Sequence, residues 1–211
     1  KYFDAETKNY SRGTQTENAL AVSLGICADE HATEVAENVY KDVVARNYHC
    51  TSGNVGYRHV FYVLAENDHA DAVVKILKNP EYPGWGYMIA SGATSVWERW
   101  ESKMTNEMHS FNHPMYGSYD AFLYKFLGGI DVSEDAFGAD KLTVAPVFAD
   151  GIDFVETSYK TVRGMLEVKW QRSESGVELD ITVPPTSTVD LLCGGEKREL
   201  KAGRHTLKID K

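Results

Sequence analysis

Apolar residues recur at helical spacing from about residue 14 to residue 129, and the texture changes near residue 140 to short runs of strand-forming residues. Thr14 and Glu17 have the spacing of a capping box, so a short helix starts there, and Gly25 can close it. Ala32, Val35, Ala36, Val39, Tyr40, Val43 and Val44 follow the i, i+3, i+4, i+7 ladder of an amphipathic helix. Tyr57, Val60, Phe61, Leu64 and Ala65 repeat the ladder, and Ala70, Val73, Val74 and Leu77 repeat it again until Pro80 stops it. Beyond an irregular stretch, Tyr119, Phe122, Leu123, Phe126 and Leu127 predict one more helix ending at Gly128-Gly129. About five helices with short connections read as consecutive antiparallel hairpins, either a simple bundle or part of a helical toroid.

The later part of the chain has strand texture. Leu142–Pro146, Phe154–Lys160 and Met165–Gln171 are short runs rich in Val, Thr and aromatic residues. Val177–Val183 alternates strictly, and Leu207-Lys208-Ile209 makes a last strand. Arg163-Gly164, Glu174-Ser175-Gly176, Gly194-Gly195 and Ala202-Gly203 supply turns between them. The predicted fold class is α followed by β, with helical hairpins over residues 1–139 and a small antiparallel β-sandwich over 140–211.

Composition narrows the chemistry. The 211 residues suffice for one large or two small domains, and 43% are apolar, so a core needs no metal or disulfide staple. Thirty-one acidic against twenty-two basic residues give a net charge of -9. That balance argues against a nucleic-acid partner, which requires a basic face, and against anionic membrane. No apolar run is long enough for a membrane helix. Cys27, Cys50 and Cys193 are widely spaced and odd in number, which fits reduced thiols better than a zinc site or disulfide framework. The opening Lys1-Tyr2-Phe3-Asp4 reads as interior to a longer chain. Neutral sugars are the ligand class to test.

The segment least explained by helical packing is 82–118. Tyr82–Tyr87 and Trp97-Glu98-Arg99-Trp100 concentrate three of the four Trp residues there. A sugar ring has apolar C–H faces and a polar rim, so its site needs flat aromatic walls beside carboxylates and donors. Glu98 between two indoles fits that need. Burial beside them would raise its pKa, and Arg99 would oppose the rise. The same residues also fit a packed core in which Glu98 simply pairs with an arginine. His109 and His113 bracket Ser110-Phe111-Asn112 without the further ligands of a metal site, and His113-Pro114 suits a sugar hydroxyl or a catalytic carboxylate better. No metal or other cofactor is expected.

Taken together, these pieces carry a resemblance. Tyr82-Pro83-Gly84-Trp85-Gly86-Tyr87-Met88-Ile89, then Gly92–Trp100, then Ser110-Phe111-Asn112-His113, resemble the bacterial α-L-rhamnosidases of glycoside hydrolase family 78. Gly13–Ala21 and Thr51–Gly56 are similar to that family in the same order. The resemblance implies an (α/α)6 catalytic toroid followed by a C-terminal β-sandwich, and removal of terminal α-L-rhamnose with inversion. It places the general base on Glu98 and puts His113 in the sugar pocket, with Trp97 and Trp100 shaping or supporting the wall. Inversion needs an acid and a base about 6.5–9.5 Å apart, with room for water between base and sugar.

The family's general acid lies upstream of anything in this sequence, and five or so helices do not close six hairpins. The expected partners are therefore a rhamnose-containing glycoside or polysaccharide and an upstream part of the same polypeptide. The 211 residues alone are expected to hydrolyse aryl rhamnosides negligibly. Competing readings are another (α/α)6 carbohydrate enzyme, such as a uronide hydrolase or a different inverting glycosidase, a non-catalytic sugar-binding module, or a helical interaction domain. The compartment stays open between bacterial cytoplasm and periplasm.

Overall fold

In a computed structural model that describes residues 2–101 and 107–210, the chain folds into two units, Lys1–Asp120 and Ala121–Lys211. Lys1 of the opening tetrapeptide and residues 102–106 of the 82–118 stretch lie outside the described residues.

The first unit opens with a feature that hydrophobic spacing does not predict, a hairpin of β1 (Phe3–Asp4) and β2 (Asn9–Tyr10). It is held by side chains: the Asn38 amide donates to the Thr7 and Lys8 carbonyls, both at 2.9 Å. Helix α1 (Gln15–Ser23) starts with the expected capping box, the Glu17 N–H donating to the Thr14 hydroxyl and the Thr14 N–H to the Glu17 carboxylate. It ends as Gly25 turns left-handed (φ 65°), which lets the Ile26 and Cys27 N–H groups reach the Ala21 carbonyl. Helix α2 (Asp29–Ala45) buries Val35, Ala36, Val39 and Val43, the stripe its ladder predicts. Helix α3 (Tyr57–Glu66) is buried over most of its circumference, through Tyr57, Val60, Phe61, Val63, Leu64 and Ala65. Helix α4 (Ala70–Lys78) stops before Pro80, whose ring disfavours helical backbone at Asn79.

Two elements sit inside the stretch read as irregular: α5 (Trp85–Ala90) and a 3₁₀ turn at Pro114–Tyr116. Six residues are too few to establish a ladder, and Gly86 lowers helix propensity, so α5 comes from packing. The helix expected over 119–127 divides into α6 (Tyr119–Phe122) and a π-helical turn at Leu123–Leu127, closed where the Gly128 N–H donates to the Leu123 carbonyl at 2.8 Å.

The second unit contains two four-stranded sheets. One has the order β10 (Gly203–Asp210), β7 (Gly176–Val183), β6 (Gly164–Ser173), β5 (Phe154–Thr161), all antiparallel. The other has the order β3 (Ile130–Val132), β4 (Lys141–Val144), β8 (Thr188–Cys193), β9 (Glu196–Leu200). Leu166, Val168, Trp170, Leu179 and Ile181 of the first meet Leu142, Val144, Val189 and Leu191 of the second in one core, which makes the unit a sandwich. The expectation of a purely antiparallel sandwich is corrected at one place: β4 and β8 run parallel, Lys141 opposite Thr188 through Val144 opposite Leu191. The chain crosses to the other sheet for β5 to β7 before returning, and that long crossover permits a parallel pair. The texture change near residue 140 is the onset of β4, whereas β3 and the π turn already belong to the second unit.

Candidate active site

The site lies within the first unit, on two chain segments that pair antiparallel without forming a regular strand. The Glu98 N–H donates to the Ser110 carbonyl at 3.0 Å and the His113 N–H to the Val96 carbonyl at 2.8 Å. The Ser95 hydroxyl adds a bond to the Phe111 carbonyl at 2.5 Å. Residues 96–98 and 110–113, read as separate pieces of sequence, are thus one structure. Glu98 and His113 share it.

Glu98 is half-buried, and the Ser110 N–H donates to its Oε2 at 2.8 Å. Its Oε1 accepts no hydrogen bond among the described residues. The Ser110 N–H holds the Glu98 pKa below the ordinary value; burial works against this, and the nearby Arg99 charge reinforces it. The expected upward shift from neighbouring indoles is therefore corrected. A backbone donor aimed at the carboxylate outweighs desolvation, because a hydrogen bond to the charged form favours that form. Arg99, the other pairing option for Glu98, bonds to Glu107 at 2.9 Å and reaches Glu101 at 3.9 Å.

His113 is also half-buried, and its Nδ1 accepts from the Met115 N–H at 3.1 Å, capping the 3₁₀ turn. With Nδ1 accepting, the proton of the neutral ring sits on Nε2, so His113 offers a donor on its outer edge. The His109 side chain, by contrast, is 3% exposed, with Nε2 3.9 Å from Glu107.

The two tryptophans of the Trp97–Trp100 block take different positions. Trp97 is 2% exposed, with Phe111 and Tyr87 edge-on at 5.3 and 6.4 Å. Trp100 is half-buried and stacks on Tyr116 at 3.9 Å, with Trp85 edge-on at 4.8 Å. Sequence reasoning did not single out Tyr57, Trp85 or Tyr116 as site residues, although they complete this aromatic cluster. Only the density of aromatic residues hinted at it. Gly86 has a packing reason, since a Cβ there would lie 2.3 Å from the Asn79 carbonyl oxygen.

The upstream motif pieces 13–21 and 51–56 also meet. Gln15, 1% exposed, donates to Asp42 at 2.9 Å and to the His49 carbonyl at 3.1 Å, and accepts from the Thr51 N–H at 2.9 Å. The Thr16 and Ser52 hydroxyls lie 2.8 Å apart. Among the described residues no group of three or more His, Cys, Asp or Glu could hold a metal ion. No described helix is long and apolar enough to cross a membrane.

Comparison with known proteins gives this arrangement a family. Residues 1–127 match the bacterial alpha-L-rhamnosidase 6 hairpin glycosidase domain, and residues 129–208 match the bacterial alpha-L-rhamnosidase C-terminal domain. An alpha-L-rhamnosidase of Streptomyces avermitilis is 28% identical over 184 residues, covering 84% of this chain and 18% of that protein. The crystal structure of the alpha-L-rhamnosidase from that organism, complexed with L-rhamnose, superposes with a TM-score of 0.89 at 25% identity, over 98% of this chain and 22% of that one. Native alpha-L-rhamnosidase from Aspergillus terreus gives the same TM-score and identity, over 98% of this chain and 25% of its own. The chain spans about a fifth of the length of the curated relatives it matches, between 18% and 21%. The helical hairpins are part of an (α/α)6 toroid, followed by a β-sandwich. The chain thus belongs to the bacterial alpha-L-rhamnosidases, with its helices in their six-hairpin glycosidase domain and its sheets in their C-terminal domain.

Proposed function

We propose that this chain supplies the base side of an α-L-rhamnosidase site that works by inversion, and that an upstream part of the same polypeptide supplies the acid. Glu98 is the general base. A water held at Oε1 attacks the anomeric carbon of a terminal α-L-rhamnose, and Glu98 takes its proton. The C–O bond to the aglycone breaks as the upstream acid protonates the leaving oxygen, and the released sugar has the β configuration. The geometry of Glu98 supports this reading: the Ser110 N–H at 2.8 Å fixes Oε2 of a half-buried carboxylate, while Oε1 accepts no hydrogen bond among the described residues and can hold a water.

His113 directs Nε2–H at a sugar hydroxyl, Trp100 forms wall, and Trp97 supports the wall from beneath. L-Rhamnose as the bound sugar is carried over from the relative solved with it. The substrate class is a rhamnose-containing glycoside or polysaccharide, with neither nucleic acid nor membrane as partner.

The test uses a 4-nitrophenyl α-L-rhamnoside and the parent polypeptide. Glu98→Gln should lower kcat by about 10²–10⁴-fold, and proton NMR of the first product should show β-L-rhamnose. The 211-residue chain alone should give negligible turnover. Full activity in Glu98→Gln, or α-L-rhamnose as first product, would sink the assignment.

A further inference from the structure

Glu98 and His113 are joined to each other by backbone bonds, but the segment carrying them must also be fixed to the helices. That link runs through two buried aromatic side chains. The Tyr57 side chain on α3, 0% exposed, accepts the Ser118 N–H on its hydroxyl at 2.7 Å and lies 2.5 Å from the Ser118 hydroxyl. The Trp85 indole N–H on α5, 5% exposed, donates to the Tyr116 carbonyl at 2.9 Å. Tyr116 stacks on Trp100, two residues beyond Glu98. His113 is held to the same turn through Met115. Residues 113–118 are therefore fastened to α3 and α5 at two points, and the Glu98 segment is fastened to them.

We propose that Tyr57 and Trp85 are positioning residues for Glu98, acting through the 113–118 segment on the Ser110 N–H that the carboxylate requires. Neither touches Glu98. Each removes a degree of freedom from the turn that follows His113. Loss of either lets the paired segments shift against the helices, and a misplacement on the order of 1 Å at a reacting group costs about 10²-fold in rate. The role presupposes Glu98 as base, so its test starts from a readout that does not require turnover.

That readout is the titration of the Glu98 side-chain carboxyl carbon by ¹³C NMR in the 211-residue chain, with amide exchange at Ser110 and Ser118. Tyr57→Phe should move the Glu98 midpoint up toward the ordinary carboxylate range and speed both amides. Ser118→Ala keeps its backbone N–H on the Tyr57 hydroxyl and should leave the midpoint near that of the parent. Trp85→Phe, which deletes the other donor, should act like Tyr57→Phe and replaces it if that variant lacks native dichroism. In the parent polypeptide Tyr57→Phe should lower kcat about 10- to 100-fold with little change in KM. A folded Tyr57→Phe or Trp85→Phe whose Glu98 midpoint and Ser110 exchange match the parent, whatever its melting temperature, would overturn the proposal. If Glu98→Gln retains turnover while the midpoint shift is seen, the base assignment fails and the positioning of the carboxylate stands.

Discussion

Replacing Glu17 by Gln isolates one electrostatic contribution to the helical unit. Burial pushes the Glu17 pKa up, but hydrogen bonds from the Thr14 hydroxyl and N–H, the Arg12 side chain and the Ser11 hydroxyl bring it down from 4.5 to about 2. Its side chain is 23% exposed. At about 1.4 kcal/mol per pH unit the full drop is worth about 3 kcal/mol. Solvent screening at the rim of the helix reduces this to about 1–2 kcal/mol. The sign is that of a depressed carboxylate: the stabilisation is complete above about pH 4.5 and is lost as pH falls through about 2. Gln keeps an acceptor in the capping box, so the substitution removes the charge and leaves the geometry. Urea unfolding followed at 222 nm should therefore show parent and Glu17→Gln separated by about 1–2 kcal/mol at pH 6.5, converging toward pH 2. A gap of equal size at both ends of the range would refute the reasoning.

Two further outcomes concern the rest of the chain. In the sandwich, the Trp170 indole N–H donates to the Leu127 carbonyl at 2.7 Å with the ring 2% exposed; Trp170→Phe should cost about 2–4 kcal/mol, from an unpaired buried carbonyl and the volume lost. Thermal unfolding within a degree of the parent would contradict this. Burial pushes the Cys50 thiol up to about 11, while Cys193 is half-buried. A thiol reagent at pH 8 should therefore modify Cys193 first and reach Cys50 only with denaturant, and mass spectrometry of labelled peptides would expose the opposite order.

Helices α2 to α4 were legible because each repeats an apolar spacing long enough to register, with Pro80 stopping α4, and α1 because Thr14 and Glu17 cap its start and Gly25 closes it. Strand β7 was legible by its strict alternation, since one side faces a core, and β6 by its run of apolar and aromatic residues. Where the period is short or absent, the sequence was silent. The β1–β2 hairpin is two residues a side and depends on Asn38, about thirty positions away. Helix α5 exists because Trp85 is buried among Tyr57, Phe61 and Trp100. The parallel β4–β8 pair depends on strands that meet across a long crossover.

At the site the division follows the range of the forces. The sequence pointed to Glu98 and His113 through the family resemblance, because each lies in a short motif, Trp97–Trp100 and Ser110–His113, that is readable from local residue order. Only the tertiary structure decided that Glu98 is held ionised rather than driven toward neutrality. The donor responsible, the Ser110 N–H, lies twelve residues along the chain and is brought within 2.8 Å by backbone pairing that no side-chain pattern encodes. A pKa is set by distances of a few ångströms, and those distances belong to the folded chain.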